Sequence, residues 1–133
     1  MEVKQRRLGP VIPSAHQHCP AGHALALLGD RWSLLIVREA LRGIDRYDGF
    51  KQALGVSDNT LTRRLAYLQE IDVLRRSPEG AYALTEAGAD LSRVLAVLGS
   101  WGSRWLPVAP PLLEPPEPVR SAAHALGLAP PPR

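Results

Sequence analysis

A single change of hydrophobic period constrains this chain more than any other feature. From Pro20 to Ile71 apolar residues recur at helical spacing, punctuated by Gly29, Gly43 and Gly55. Then "VLRRS" and "AYALT" alternate around "PEG", and helical spacing returns in "EAGADLSRVLAVLGSWGSRWL". Alternation around a Pro-Glu-Gly turn marks a small β-hairpin, whereas spacings of three and four mark helices. The expected order is four short helices, a hairpin and a long closing helix.

The punctuation supplies the helix ends. Pro20 suits the first turn of a helix that Gly29 closes, and Asp30 can cap a second through "RWSLLIVREALR" to Gly43. A third runs through "YDGFKQAL" to Gly55. Ser57 or Asp58 caps the fourth, "NTLTRRLAYLQEI", and Thr85 caps the last. Aromatic residues make up 5% of the chain and its apolar content is mostly Leu, Ala and Val, which favours a helical core over a sheet sandwich. The fold class is therefore mainly α with a small β-hairpin wing, the plan of a winged helix-turn-helix domain. With 133 residues, one core is expected. A flexible basic arm should occupy residues 1–18, the domain 19–106 and a Pro-rich tail 107–133. That tail holds nine of the thirteen prolines, with room for a short helix between Pro118 and Gly127.

Composition narrows the function. A single Cys excludes an internal disulfide framework, and neither a secretion signal nor an apolar run of membrane-spanning length is present, so a cytoplasmic protein with no membrane partner is expected. No G-x-S-x-G, H-E-x-x-H, phosphate-loop or dinucleotide-binding pattern occurs, which argues against an enzyme and against a cofactor. The net charge of +3 is compatible with a polyanionic partner. Residues 31–51 carry Arg31, Arg38, Arg42, Arg46 and Lys51 against Glu39, Asp45 and Asp48, a local excess of two positive charges (5 − 3).

The fourth helix would be the reading helix. Leu61, Leu65 and Leu68 fall on one side of its projection, and Asn59, Arg63, Ala66 and Glu70 fall opposite, with Thr62 and Tyr67 at the margins. Asn can bond adenine with two groups and Arg can bond guanine with two, while Thr and Tyr suit phosphates or methyl groups. The same pattern also fits an ordinary solvated face; the hairpin that follows favours double-stranded DNA. The candidate contacts are Arg46, Ser57, Asn59, Thr60, Thr62, Arg63, Arg64 and Tyr67, with Arg75 and Arg76 on the hairpin.

The stretch "SAHQHCPAGH" gathers His16, His18, Cys19 and His23, four potential metal ligands, but their spacing matches no zinc pattern, so no metal is assigned. Pro20 instead pushes Cys19 out of the helical region and into the N-cap position, where a helix terminus favours negative charge and suits a reactive thiol. A structural Cys packed at a subunit seam is the alternative.

Taken together, "CP" before a helix, "LLGDRWSLLIVREAL", "RYDGFKQALGVSDNTLTRRLAYLQEIDVL", "YALTEAG" and a late "WG" resemble the HxlR family of bacterial winged-helix transcription regulators, a MarR-like group. The resemblance covers roughly Cys19 to Trp105. It implies a homodimer, built from the N- and C-terminal helices, that binds a palindromic operator, more often as a repressor. Leu25, Leu28, Leu98, Trp101 and Trp105 are the residues expected at that seam, with intramolecular core as the other place for the two Trp rings. It also implies that a cysteine at the "CP" position senses oxidants or electrophiles in some members, so an oxidant or small-molecule effector is a candidate partner. This chain departs from the family in one respect: only "SPEG" separates Arg76 from "AYALT", a shorter wing than usual, which is expected to reach less far along a DNA backbone. The rival from another class is a winged-helix module for protein–protein assembly.

Overall fold

The computed structural model describes residues 19–107; the basic arm, with His16 and His18, and the Pro-rich tail beyond Pro107, with its expected short helix, lie outside the described residues. Five helices and one hairpin follow in the expected order: α1 (Pro20–Leu28), α2 (Ser33–Leu41), α3 (Tyr47–Leu54), α4 (Asp58–Glu70), β1 (Leu74–Arg76), β2 (Tyr82–Leu84) and α5 (Glu86–Trp105). Among the described residues no helix is long and apolar enough to cross a membrane.

Local chemistry explains most of the boundaries. Cys19 is extended (φ −119°, ψ 104°), as the residue before a proline must be, and its Sγ accepts from the Gly22 amide at 3.4 Å. The start of α2 lies three residues beyond Asp30 rather than directly after it. The carboxylate accepts from the amides of Trp32 and Ser33, both at 3.0 Å, and from the Ser33 hydroxyl, so it satisfies the helix N-terminus across an intervening turn. Burial pushes the Asp30 carboxyl up, but the Ser33 hydroxyl, the two amides and the Arg64 charge outweigh it and hold the group below the usual carboxylate range. Gly55, at φ 61°, ends α3 in the left-handed conformation that glycine adopts without a Cβ penalty.

The core lies where α2, α3 and α4 meet the hairpin. Ile36, Val37, Phe50, Leu61, Leu65, Leu68, Ile71, Leu74 and Tyr82 are buried together, and the Tyr82 ring meets Phe50 edge-on at 6.0 Å. Burying side chains of this size is worth roughly 1.5–3 kcal/mol each before conformational entropy is charged against it. Glu39 is only 3% exposed, and Arg38 at 2.9 Å and Arg42 at 3.5 Å neutralise it.

The two strands pair antiparallel, Leu74 opposite Leu84 and Arg76 opposite Tyr82. In the turn the Gly80 amide donates to the Ser77 carbonyl at 2.9 Å, and Gly80 takes φ 85°. The wing is tied to the body at two points of the segment before α3. The Tyr82 amide donates to the Asp45 carbonyl at 2.7 Å, and Arg46 Nη1 donates to the Glu79 carbonyl at 2.8 Å. The Thr85 hydroxyl accepts from the Gly88 amide at 3.0 Å and donates to the Asp72 carbonyl at 2.6 Å, which fixes the root of α5 to the end of α4. Gly88 is buried there, and a Cβ would overlap the Val73 carbonyl oxygen, so only glycine allows α5 this approach.

Candidate nucleic-acid interface

Helix α4 is held from beneath by its buried leucines, Leu61, Leu65 and Leu68. The Ser57 hydroxyl accepts from the Thr60 amide at 3.3 Å and donates to the Thr60 hydroxyl at 3.0 Å, so Ser57 and Thr60 together form the helix cap. Asn59, Thr62, Arg63 and Ala66 are exposed on the outer side. No side-chain hydrogen bond or ion pair within the described residues engages Asn59 or Arg63. Beside them stands the wing, with Arg75 and Arg76 exposed on β1. Arg76 rests its guanidinium 5.3 Å from the Tyr82 ring centre, and Arg46 lies at the wing's base.

Two of the expected contacts on α4 are directed toward the body of the domain. The Tyr67 hydroxyl donates to the Leu27 carbonyl at 2.7 Å, and burial, with Asp30 nearby, pushes its phenol up. Arg64 sits 3.7 Å from the Asp30 carboxylate and lies over the Tyr67 ring. Both side chains therefore tie α4 to the α1–α2 junction rather than joining the outer group of Asn59, Thr62 and Arg63.

Tyr47 joins this surface without any signal of that role in the sequence, and with it come Lys51, read there only as part of a basic stretch, and Asp58, read only as a possible cap. A cleft of about 310 Å³ between α4 and the wing is lined by Tyr47, Thr62, Ala66, Gln69, Arg76 and Tyr82. The Tyr47 hydroxyl donates to Asp58 Oδ1 at 2.8 Å and lies 3.3 Å from Thr62 Oγ1. Lys51 Nζ pairs with Asp58 Oδ2 at 2.7 Å. That pairing holds the Lys51 ammonium up and, with the Tyr47 bond, the Asp58 carboxyl down.

The other candidate surface is apolar. Val94, Val97, Leu98, Trp101 and Trp105 recur at helical spacing on α5 and are 44%, 49%, 48%, 57% and 65% exposed, so neither Trp ring is part of this chain's core. Leu25 on α1 is 66% exposed, and α1 has no buried residue at all. Leu28, from the same expected set, instead packs partly against the core. Cys19 is exposed, and His23, one turn along, has its Nε2 buried without a hydrogen-bond partner among the described residues. No cluster of three or more His, Cys, Asp or Glu is placed to hold a metal among the described residues.

A helix pair ending in a leucine-anchored outer helix, followed by a two-stranded wing, defines a winged helix-turn-helix protein. The model of the HxlR-like helix-turn-helix family matches residues 27–110, and the chain belongs to that family. An HTH-type transcriptional regulator of Mycobacterium tuberculosis is 42% identical over 92 residues, 65% of this chain and 58% of the relative. The chain thus spans somewhat under two thirds of the mycobacterial relative's length. A second HTH-type transcriptional regulator, from Synechocystis, is 34% identical over 111 residues, 78% of this chain and 82% of the relative. Among solved structures, the transcription factor PA1607 is similar with a TM-score of 0.65 at 33% identity, covering 76% of this chain and 75% of that one. Quinone-bound YodB from B. subtilis gives 0.61 at 29% identity, covering 65% and 99%. The mycobacterial and Synechocystis relatives and PA1607 are transcription regulators, not enzymes.

Proposed function

We propose that the protein is a sequence-specific DNA-binding regulator that acts as a homodimeric repressor on a palindromic operator. The observation that carries this reading is the leucine-anchored helix α4, which presents Asn59 and Arg63 outward and unengaged beside two wing arginines. Groups able to read adenine and guanine edges stand on the first half of the helix, and cations able to hold phosphates stand to one side. The exposed apolar stripe of α5 and the unburied helix α1 support a second copy as partner, which would repeat α4 about a two-fold axis and match a palindrome. Repression rather than activation rests on the family resemblance.

The deciding experiment is duplex binding over a salt series. The expected result is retarded migration of random duplex that weakens steeply with salt, and tighter binding to duplexes enriched from a randomised library. Absence of binding at low salt would reject this reading in favour of a protein-assembly module.

The reading extends to an oxidant or electrophile effector sensed at Cys19. The thiol is exposed at the start of α1, on the helix whose apolar surface would lie at the dimer seam. YodB is a quinone-bound relative, and a quinone is an electrophile to which a thiol adds directly, forming a C–S bond as the ring gains the thiol proton. Cys19→Ser should bind selected duplex like the parent and keep that affinity in diamide or quinone, while the parent loses it. An unchanged oxidant response in the serine variant would remove Cys19 from the mechanism.

A further inference from the structure

The first turn of the reading helix carries an acidic residue at a place where a polyanion is to be approached. Asp58 is the first residue of α4, and its side chain is 64% exposed. Free, such a carboxylate would swing and be screened. Here it is fixed from two sides, by Lys51 Nζ at 2.7 Å and by the Tyr47 hydroxyl at 2.8 Å, both from α3. Lys51, 45% exposed and otherwise well placed to hold a phosphate, is neutralised by the same pairing.

We propose that Asp58, held by Lys51 and Tyr47, is a specificity-determining residue that suppresses binding to DNA of arbitrary sequence. The inference rests on the DNA-binding reading above and adds a function to residues that reading does not use. Affinity for arbitrary duplex comes almost wholly from cations that displace counterions from phosphates. A lysine paired with a carboxylate on the approaching surface contributes no net charge to that attraction. The N-terminal residues of a reading helix are also those that meet base edges, and there a fixed carboxylate accepts from a donor such as the cytosine N4 amino group and is repelled by acceptor edges and phosphates. The pairing thus lowers the affinity common to all sequences and leaves the operator favoured.

Charge arithmetic makes the test sharp. The Lys51–Asp58 pair sums to zero, D58N leaves +1, K51Q leaves −1, and the double variant returns to zero. Asparagine keeps an oxygen for the Tyr47 hydroxyl, and the Lys51 and Asp58 side chains are exposed, so folding should survive; a thermal melt of each variant establishes it. Binding is measured over a salt series with a random duplex and with a duplex enriched from a randomised library by the wild-type protein. For D58N the expected result is tighter binding to the random duplex, a salt slope steeper by about 0.9 per protomer, and selectivity reduced by about fivefold or more. K51Q should bind the random duplex more weakly than wild type, and the double variant should match wild type on it. If D58N and K51Q both weakened both duplexes, the pairing would be a clasp setting the angle between α3 and α4, and the inference would be overturned while the DNA reading stood. Random-duplex affinity unchanged in D58N would also overturn the inference alone. Wild-type protein that bound neither duplex would overturn both.

Discussion

Trp101→Asp should convert the protein from dimer to monomer while leaving its fold intact. The ring is 57% exposed in the single chain and belongs to a stripe with Val94, Val97, Leu98 and Trp105, so its removal costs the isolated domain little. A stripe of this kind is what a second copy would cover, because exposed apolar side chains contiguous along a helix mark an association surface. Tryptophans at the centre of such seams rank among the residues whose truncation costs most, about 2 kcal/mol or more, or roughly thirtyfold in dissociation constant. A buried aspartate without a partner adds to that loss. Light scattering at micromolar concentration should therefore give a dimer for the parent and a monomer for the variant, with the same helical circular dichroism. A parent that is already monomeric would remove both the seam and the two-half-site operator. A variant that unfolds would mean that the domain is stable only when a second copy covers this stripe.

The same stripe shows how far the sequence could be read. Helical spacing placed Leu98, Trp101 and Trp105 on one face, and the face extends to Val94 and Val97 by the same rule of three and four. Leu28 is packed partly against the core although its period resembles that of exposed Leu25, because a nine-residue helix lying on the body turns some apolar residues inward whatever the pattern suggests. Capping chemistry is local, so Cys19, Ser57 and Thr85 occupy the caps expected of them. Asp30 satisfies α2 through an intervening turn, a two-step geometry that a helix projection does not contain.

What the sequence could not show depends on interactions between elements distant along the chain. Tyr67 looks like a marginal phosphate ligand on a projection, yet its hydroxyl bonds a carbonyl forty residues away. Arg64 follows it toward Asp30. Tyr47 shows nothing in its own helix and gains its role only when α3 and α4 bring it to Asp58 and Thr62. The short "SPEG" wing carries no sign of its anchorage to Asp45 and Arg46, which holds it beside α4 despite its length.

Arg63→Ala should separate base reading from phosphate holding. Arg63 stands one helical turn after Asn59 on the side of α4 opposite the buried leucines, and no acidic partner among the described residues occupies its guanidinium. In the major groove such a group bonds guanine O6 and N7 together, and removing a bidentate pair costs about 1–3 kcal/mol of discrimination. In a dimer the effect should appear at one symmetric pair of operator positions, with preference there relaxed and the rest of the site read as before. Arg76 behaves differently because it projects from β1 over the Tyr82 ring at the edge of the cleft, where a DNA strand rather than a base edge would pass. Arg76→Ala should weaken selected and random duplexes alike and flatten the salt slope by about 0.9 for each phosphate that the protein no longer neutralises. Both variants are measured over a salt series with library-selected and random duplexes, followed by reselection from the library with Arg63→Ala. Equal weakening on both duplexes for Arg63→Ala, or none, would mean that α4 does not read bases through this residue. The reading would then have to pass to Asn59 and Asp58 at the start of the helix, where reselection with the corresponding variants would locate it.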